Sequence, residues 1–234
     1  MARQHPKVWS VFERVLSDER TVHFQIEDVV EEMWCTVVEF MLGNYIREDV
    51  WWVTAGTASD EGAIQEYRVL LTSIVRQRMS IACFLTDGDG TGRTLVAVNM
   101  CMPQKKGHFV EHVPPKTKAG LLSLRMFAEA MKDTSIYEKF EVDEYLMGVG
   151  LSVTPEYRRL GIATELLKAR SKLAKELGFR ATGGIFTGEA AQLAAEKAGM
   201  ECYHQVSYKE FGKLCETTID TTTEYLKMYA NRVE

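Results

Sequence analysis

Leu151-Ser152-Val153-Thr154-Pro155-Glu156-Tyr157-Arg158-Arg159-Leu160-Gly161-Ile162-Ala163-Thr164 runs from an apolar strand, through a proline turn, into an amphipathic helix. The first N–H groups of a helix have no intrahelical partners, and the macrodipole places partial positive charge there. Gly161 and Ala163 carry little or no side chain, so an anion can approach the backbone, and Arg158 and Arg159 add charge beside it. That combination suits a pyrophosphate. It equally suits an ordinary strand–turn–helix with solvated arginines. GxxxxGK[ST] and GxGxxG are both absent, which excludes a P-loop and a dinucleotide fingerprint.

Outward from this stretch, hydrophobic periodicity predicts an alternation of strands and helices. Toward the N-terminus it predicts a strand over 145–153, a helix over 117–132 and a polar loop over 103–115. Strands over 80–85 and 94–102 flank Asp87-Gly88-Asp89-Gly90-Thr91-Gly92, whose chemistry is that of a hairpin turn. Helices are expected over 63–77 and from Asp28, as N-cap, to a stop at Gly43-Asn44, with a strand over 21–26 before them. Between the two helices lies an irregular patch, 45–52. Toward the C-terminus, helices are expected over 162–177, closed by Gly178, and over 189–198, ended by Gly199. Strands follow over 180–186, 200–206 and 222–229. No repeat or linker interrupts the 234 residues, so the expectation is one domain, 1–234, with residues 1–20 as an N-terminal extension. Hairpins mixed with βα crossovers imply an α/β (α+β) fold with a mixed sheet covered by helices.

Composition narrows the function. Apolar residues make up 46% and charged residues 26%, the balance of a globular protein. With 28 Lys+Arg against 33 Asp+Glu, the net charge of −5 argues against nucleic acid or a membrane surface as the main partner. The five Cys have no CxxC spacing and suit reduced, packed thiols in a reducing compartment. His108 and His112 are spaced i, i+4, but no helical pattern surrounds them, so no metal site is expected. No apolar run reaches the ~18–20 residues that span a bilayer. The expectation is a cytoplasmic protein.

Arg158-x-x-Gly161-x-Ala163, preceded by a strand and by Val153-x-Pro155, resembles the acetyl-CoA motif of the GCN5-related N-acetyltransferases (GNAT). The longer stretch from Leu151 to Ala163 is most similar to the insect arylalkylamine N-acetyltransferase branch, and so is Glu196-Lys197-Ala198-Gly199-Met200. The resemblance implies a GNAT-like twisted sheet of about seven strands flanked by helices. It implies acetyl-CoA as co-substrate, lined by Leu151, Ser152 and Val153, with the pyrophosphate on Arg158, Arg159, Leu160, Gly161, Ile162, Ala163 and Thr164. Gly148 and Gly150 become the natural places for a bulge and a close approach.

The implied reaction is attack of an amine on a thioester, which needs a base to take the amine's proton. In that branch a Glu after the first helix serves, and Glu48 matches it, with Asp49 as runner-up one residue on. Thr187 falls where the branch has a catalytic hydroxyl, whereas Ala191 stands where a second, a Ser, is expected. Tyr203 and Tyr208 lie nearby in sequence as candidate donors to the leaving thiolate, though a tyrosine in such a place is more often a packing residue. Trp51 and Trp52, beside Asp49, suit a cation with an apolar body, or else cover the core. The resemblance thus implies a small primary amine such as dopamine, serotonin, tyramine or octopamine, with the protein as monomer or homodimer. Polyamine or agmatine acetylation, another acyl acceptor, and CoA binding without catalysis are the alternatives.

Overall fold

The apolar runs form an eight-stranded mixed sheet with the spatial order β1-β2-β3-β4-β5-β6-β8-β7. The computed structural model describes residues 6–16, 18–87, 92–107, 114–132 and 136–233. Its strands are β1 (Val8–Val15), β2 (Thr21–Asp28), β3 (Ile81–Thr86), β4 (Arg93–Lys105), β5 (Glu144–Val153), β6 (Ala181–Phe186), β7 (Glu201–Ser207) and β8 (Tyr225–Arg232). Neighbours pair antiparallel except β5 and β6, which run parallel. Helices α1 (Trp34–Phe40), α2 (Ile46–Glu48), α3 (Val50–Ala55) and α4 (Glu61–Val75) lie between β2 and β3. Helices α5 (Lys118–Lys132) and α6 (Ile136–Phe140) precede β5, and α7 (Ile162–Glu176), α8 (Glu189–Lys197) and α9 (Tyr208–Leu214) follow it.

The helices cover both faces of the sheet. On one face α7 buries Ile162, Leu166 and Leu173 against Phe24, Ile26, Val96 and Leu146. Each such side chain contributes about 1.5–3 kcal/mol. On the other face α1 and α4 pack Val37, Leu71 and Ile74 onto Val98, Met100 and Met102. Gly161 at φ 78° starts α7 and Gly178 at φ 85° ends it, both in the left-handed region that glycine enters without strain.

The bulge expected at Gly148 and Gly150 is present. Gly148 pairs with Cys101 and Gly150 with Met100, so Val149 is the extra residue. The inserted residue reverses the side-chain phase. Leu146 ahead of it and Leu151 and Val153 beyond it all pack into the α7 face. Gly150 therefore turns to the opposite face, where Met41 Cε and Tyr45 Cε1 lie 2.8 and 3.1 Å from the position of an added Cβ.

Several elements differ from expectation. Asp28 is not a helix cap: β2 runs through it, and its carboxylate accepts from Trp9 Nε1 at 2.9 Å and the Lys7 N–H at 3.0 Å. A 3₁₀ turn, Glu31–Met33, leads into α1 instead. Gly43-Asn44 does not stop a helix but lies inside a π-helical turn, Met41–Tyr45, and the patch expected to be irregular becomes α2 and α3. The loop expected from residue 103 begins later, because β4 continues to Lys105. Residues 8–15, expected within an N-terminal extension, form the edge strand of the sheet. That strand accounts for the eighth; α6 and α9 are further additions. The hairpin turn at 88–91 and the histidines at 108 and 112 lie outside the described residues.

Candidate active site

The parallel pairing of β5 with β6 stops at Gly148–Gly184. There the strands approach so closely that a Cβ on Gly184 would meet the Gly148 carbonyl oxygen at 2.9 Å. Beyond that point β5 continues beside β4, and β6 beside β8, so a wedge-shaped cleft opens between them. Ser152 is buried and, two residues on from Gly150, shares its face.

The first intrahelical bond of α7 runs from the Glu165 N–H to the Gly161 carbonyl at 3.1 Å. The N–H groups of Ile162, Ala163 and Thr164 thus lie ahead of it at the positive end of the helix. The atoms nearest an added Cβ on Gly161 are 3.6 Å away or more, and Arg159, at φ 63°, turns the chain sharply before it. Arg14 of β1, a residue that sequence reasoning missed, donates from Nε to the Leu160 carbonyl at 2.8 Å. Arg158 donates from Nε to the Val153 carbonyl at 3.0 Å and makes an ion pair with Glu48. Backbone donors, an open glycine and three arginines suit the diphosphate of a CoA thioester.

A cavity of about 570 Å³ lies against the bulged strand, lined by Met147, Gly148 and Val149 of β5, with Ile185 and Thr187 at the end of β6. Trp51, Trp52, Tyr45, Tyr67 and Phe127 form an aromatic wall. Trp52 packs on Tyr67 with ring centroids 4.1 Å apart, and Trp51 on Phe211 at 6.0 Å. Glu66 also lines the cavity, but its carboxylate is occupied. It accepts from the Lys116 N–H at 2.6 Å, the Thr117 N–H at 3.0 Å and Thr117 Oγ1 at 2.6 Å.

Asp49 and Glu48 are neighbours in sequence but sit in different surroundings. Glu48 is exposed and faces Arg158. Asp49 caps α3, accepting from the Trp51 N–H at 3.0 Å, and its other oxygen accepts from Thr187 Oγ1 at 2.5 Å. Part of its surface stays accessible, but protein crowds the carboxyl. The resulting desolvation pushes its pKa up to about 6, against the opposing hydrogen bonds from Thr187 and the Trp51 and Trp52 N–H groups. Tyr208 Oη donates to the Thr187 carbonyl at 2.6 Å, which orients the threonine. Burial, and after it the Asp49 charge, pushes the phenols of Tyr67 and Tyr208 up. Tyr203 packs beside the α5 and α6 cores, and burial pushes its phenol up as well. The structure therefore brings together Asp49, Thr187, Trp51 and Trp52, and sets Glu48 apart from them.

The acetyltransferase (GNAT) family model matches residues 116–200, the segment holding β5, the turn and α7. Over this segment the chain is similar to the GNAT acetyltransferases. The segment and the strands around it share their fold with solved insect proteins. A yellow fever mosquito (Aedes aegypti) protein named as arylalkylamine N-acetyltransferase 7 is similar at 25% identity. That match covers 98% of this chain and 96% of that one, with a TM-score of 0.85. Mosquito arylalkylamine N-acetyltransferase like 5b is similar at 19% identity, covering 89% and 99%, with a TM-score of 0.73. A Drosophila melanogaster polyamine N-acetyltransferase that forms N-acetylagmatine is similar at 16% identity, covering 89% and 99%, with a TM-score of 0.69. No curated protein sequence matches the chain. Among the described residues no cluster of His, Cys, Asp and Glu could hold a metal, and no helix is long and apolar enough to cross a membrane.

Proposed function

We propose that the protein transfers an acetyl group from acetyl-CoA to a small primary amine with an aromatic body. The carrying observation is Asp49: a desolvated carboxylate, hydrogen-bonded to Thr187, beside an aromatic-walled cavity that adjoins the β5–β6 cleft. Leu151, Ser152, Val153 and residues 158–164 belong to the co-substrate's side of the cleft, and Trp51 and Trp52 to the amine's side. The amine enters as an ammonium, pairs with Asp49, and its apolar body packs on the tryptophans. Asp49, ionised above pH 6, takes the proton. The freed nitrogen attacks the thioester carbonyl carbon, the tetrahedral adduct gives its second N–H proton to solvent as the C–S bond breaks, and the thiolate leaves to be protonated from solvent. Thr187 holds the Asp49 carboxylate toward the substrate. Tyr208 has its proton committed to the Thr187 carbonyl, which supports a positioning role.

The cavity chemistry favours an arylalkylamine over a polyamine. A polyamine carries several charges and needs several carboxylates. Here the lining is mainly apolar and aromatic, the Glu66 carboxylate in it already holds the start of α5, and the carboxylate assigned to the amine is Asp49. The test is CoA release from acetyl-CoA over an amine panel. Arylalkylamines should release CoA with a kcat/KM well above that of spermidine or agmatine. Preference for the polyamines, or acetyl-CoA binding without turnover of any amine, overturns the reading.

A further inference from the structure

Arg170 is a buried cation with no counter-charge. It lies in the interior of α7, is 2% exposed, and its Nε has no hydrogen-bond partner. Among the described residues no carboxylate faces it. The ionisable groups beside it are Cys101 and Tyr145. Burial pushes the Cys101 thiol up to about 12 and the Tyr145 phenol up as well, so both stay neutral. A guanidinium keeps its proton even when buried. Such a charge is costly, and a hydrophobic side chain of similar size would be at least as stable in its place.

Its place in the fold says what the charge faces. The guanidinium rests on the Gly148 backbone, where an added Cβ would collide with Nη1. Gly148 ends the β5–β6 pairing at the closed end of the cleft, and it also lines the cavity. One backbone without a side chain thus separates the guanidinium from the space where cleft and cavity meet. Asn99, 1% exposed, ties the cation to the bulge. Its Oδ1 accepts from Arg170 Nη1 at 3.4 Å, and its Nδ2 donates to the Gly150 carbonyl at 2.9 Å. Residues 148–153 of β5 rise about 3.3 Å each, so roughly 16 Å of strand lies between Gly148 and the turn that faces the phosphates. An extended pantetheine arm has a comparable reach.

We infer that Arg170 is a positioning residue acting by its charge: from beneath Gly148 it stabilises the negative charge that forms on the thioester oxygen and then on the departing CoA sulfur. This rests on the co-substrate side of the proposed function. Fixed charge aimed at the place where charge develops needs no reorganisation during the reaction. Across one backbone, about two contact distances, a unit charge shifts a thiol pKa by about 1–2 units at an effective dielectric constant near 20.

The test titrates the thiol of bound CoA, with no amine present. Thiolate absorbance, taken as the difference between protein with CoA and protein with desulfo-CoA, gives the pKa in wild type, Arg170→Met and Arg170→Gln. The Gln variant keeps a hydrogen bond to Asn99 and loses the charge. Both variants should raise the bound thiol's pKa by at least about 1 unit and lower kcat by about 10–100-fold. The thioester itself is neutral, so acetyl-CoA affinity should stay within about threefold of wild type. A thiol pKa that does not move in Arg170→Met overturns the inference. So does recovery of both pKa and kcat in Arg170→Gln, which assigns the side chain to holding Asn99. Acetyl-CoA affinity that collapses in both variants also overturns it, and assigns the side chain to the shape of the cleft. If the pKa moves as expected but no amine is acetylated, the proposed function fails and the role of the charge stands. A wild type that binds no CoA refutes both.

Discussion

Gly148→Ala tests the geometry that opens the cleft. A Cβ at this position would lie 1.9 Å from Arg170 Nη1 and 3.0 Å from its Cζ, where ordinary contact begins near 3.4 Å. Either the strand or the guanidinium must retreat by well over an ångström. Arg170 has little room: it is 2% exposed, with Nη1 3.4 Å from Asn99 Oδ1 and Nη2 3.7 Å from Met200 Sδ. Burial pulls its pKa down, and among the described residues no carboxylate pairs with it. Overpacking of this kind costs about 1–3 kcal/mol, and displacing a buried charge places the variant at the upper end. Arg170→Met removes the obstacle and an unpaired buried cation together, so alone it should lie within about 1 kcal/mol of wild type or be stabilising. The double variant should then recover about 2 kcal/mol of the Gly148→Ala loss as coupling. Urea unfolding followed by tryptophan fluorescence measures all four proteins. A Gly148→Ala variant as stable as wild type refutes the reasoning. So does a variant equally destabilised in the Arg170→Met background.

Gly161→Glu puts a like charge at the phosphate-facing helix start, on a backbone at φ 78° where a side chain costs about 1–2 kcal/mol. Calorimetry should show acetyl-CoA affinity falling at least about tenfold, with Gly161→Ala as the control for backbone strain alone. Asp49 has a folded pKa of about 6, above the ordinary 3.8, so ionisation costs the folded state, and stability falls as pH rises between these values. Asp49→Asn should therefore be more stable than wild type by about 3 kcal/mol at pH 8, and the difference should shrink toward zero below pH 4 in chemical denaturation.

The strand–turn–helix around Gly161 was legible because proline, glycine and a strong apolar period mark its boundaries. The bulge was placed by the resemblance, which needs one in this strand, and by two alternating glycines that offer a place for it. The β1 strand was not, because its pattern is inverted. Val8, Val11 and Val15 point outward on the edge, while Trp9, Phe12 and Arg14 lie on the α7 side. Choosing between Glu48 and Asp49 was beyond periodicity for a specific reason. The π-helical turn Met41–Tyr45 adds a residue to the helical repeat, and the chain breaks again at Asp49, whose ψ of 130° is extended. Side-chain directions counted from α1 are therefore out of phase by the time they reach this pair. Thr187 was placed by resemblance, and the structure adds its bond to Asp49. Arg170 gave no sign, since an arginine on an amphipathic helix reads as a solvated charge until the glycines opposite it are placed.

In the proposed reaction Asp49 takes the proton of the amine. The most direct measurement is the pH profile of kcat/KM for CoA release with an arylalkylamine, in wild type, Asp49→Asn and Glu48→Gln. Wild type should lose activity below about pH 6, following the raised Asp49 carboxyl. Asp49→Asn should lower kcat by about 10²–10⁴-fold and abolish that acidic limb, while Glu48→Gln keeps both the limb and most of the rate. Wild-type kcat with an intact acidic limb in Asp49→Asn, or the loss appearing in Glu48→Gln instead, would contradict the account.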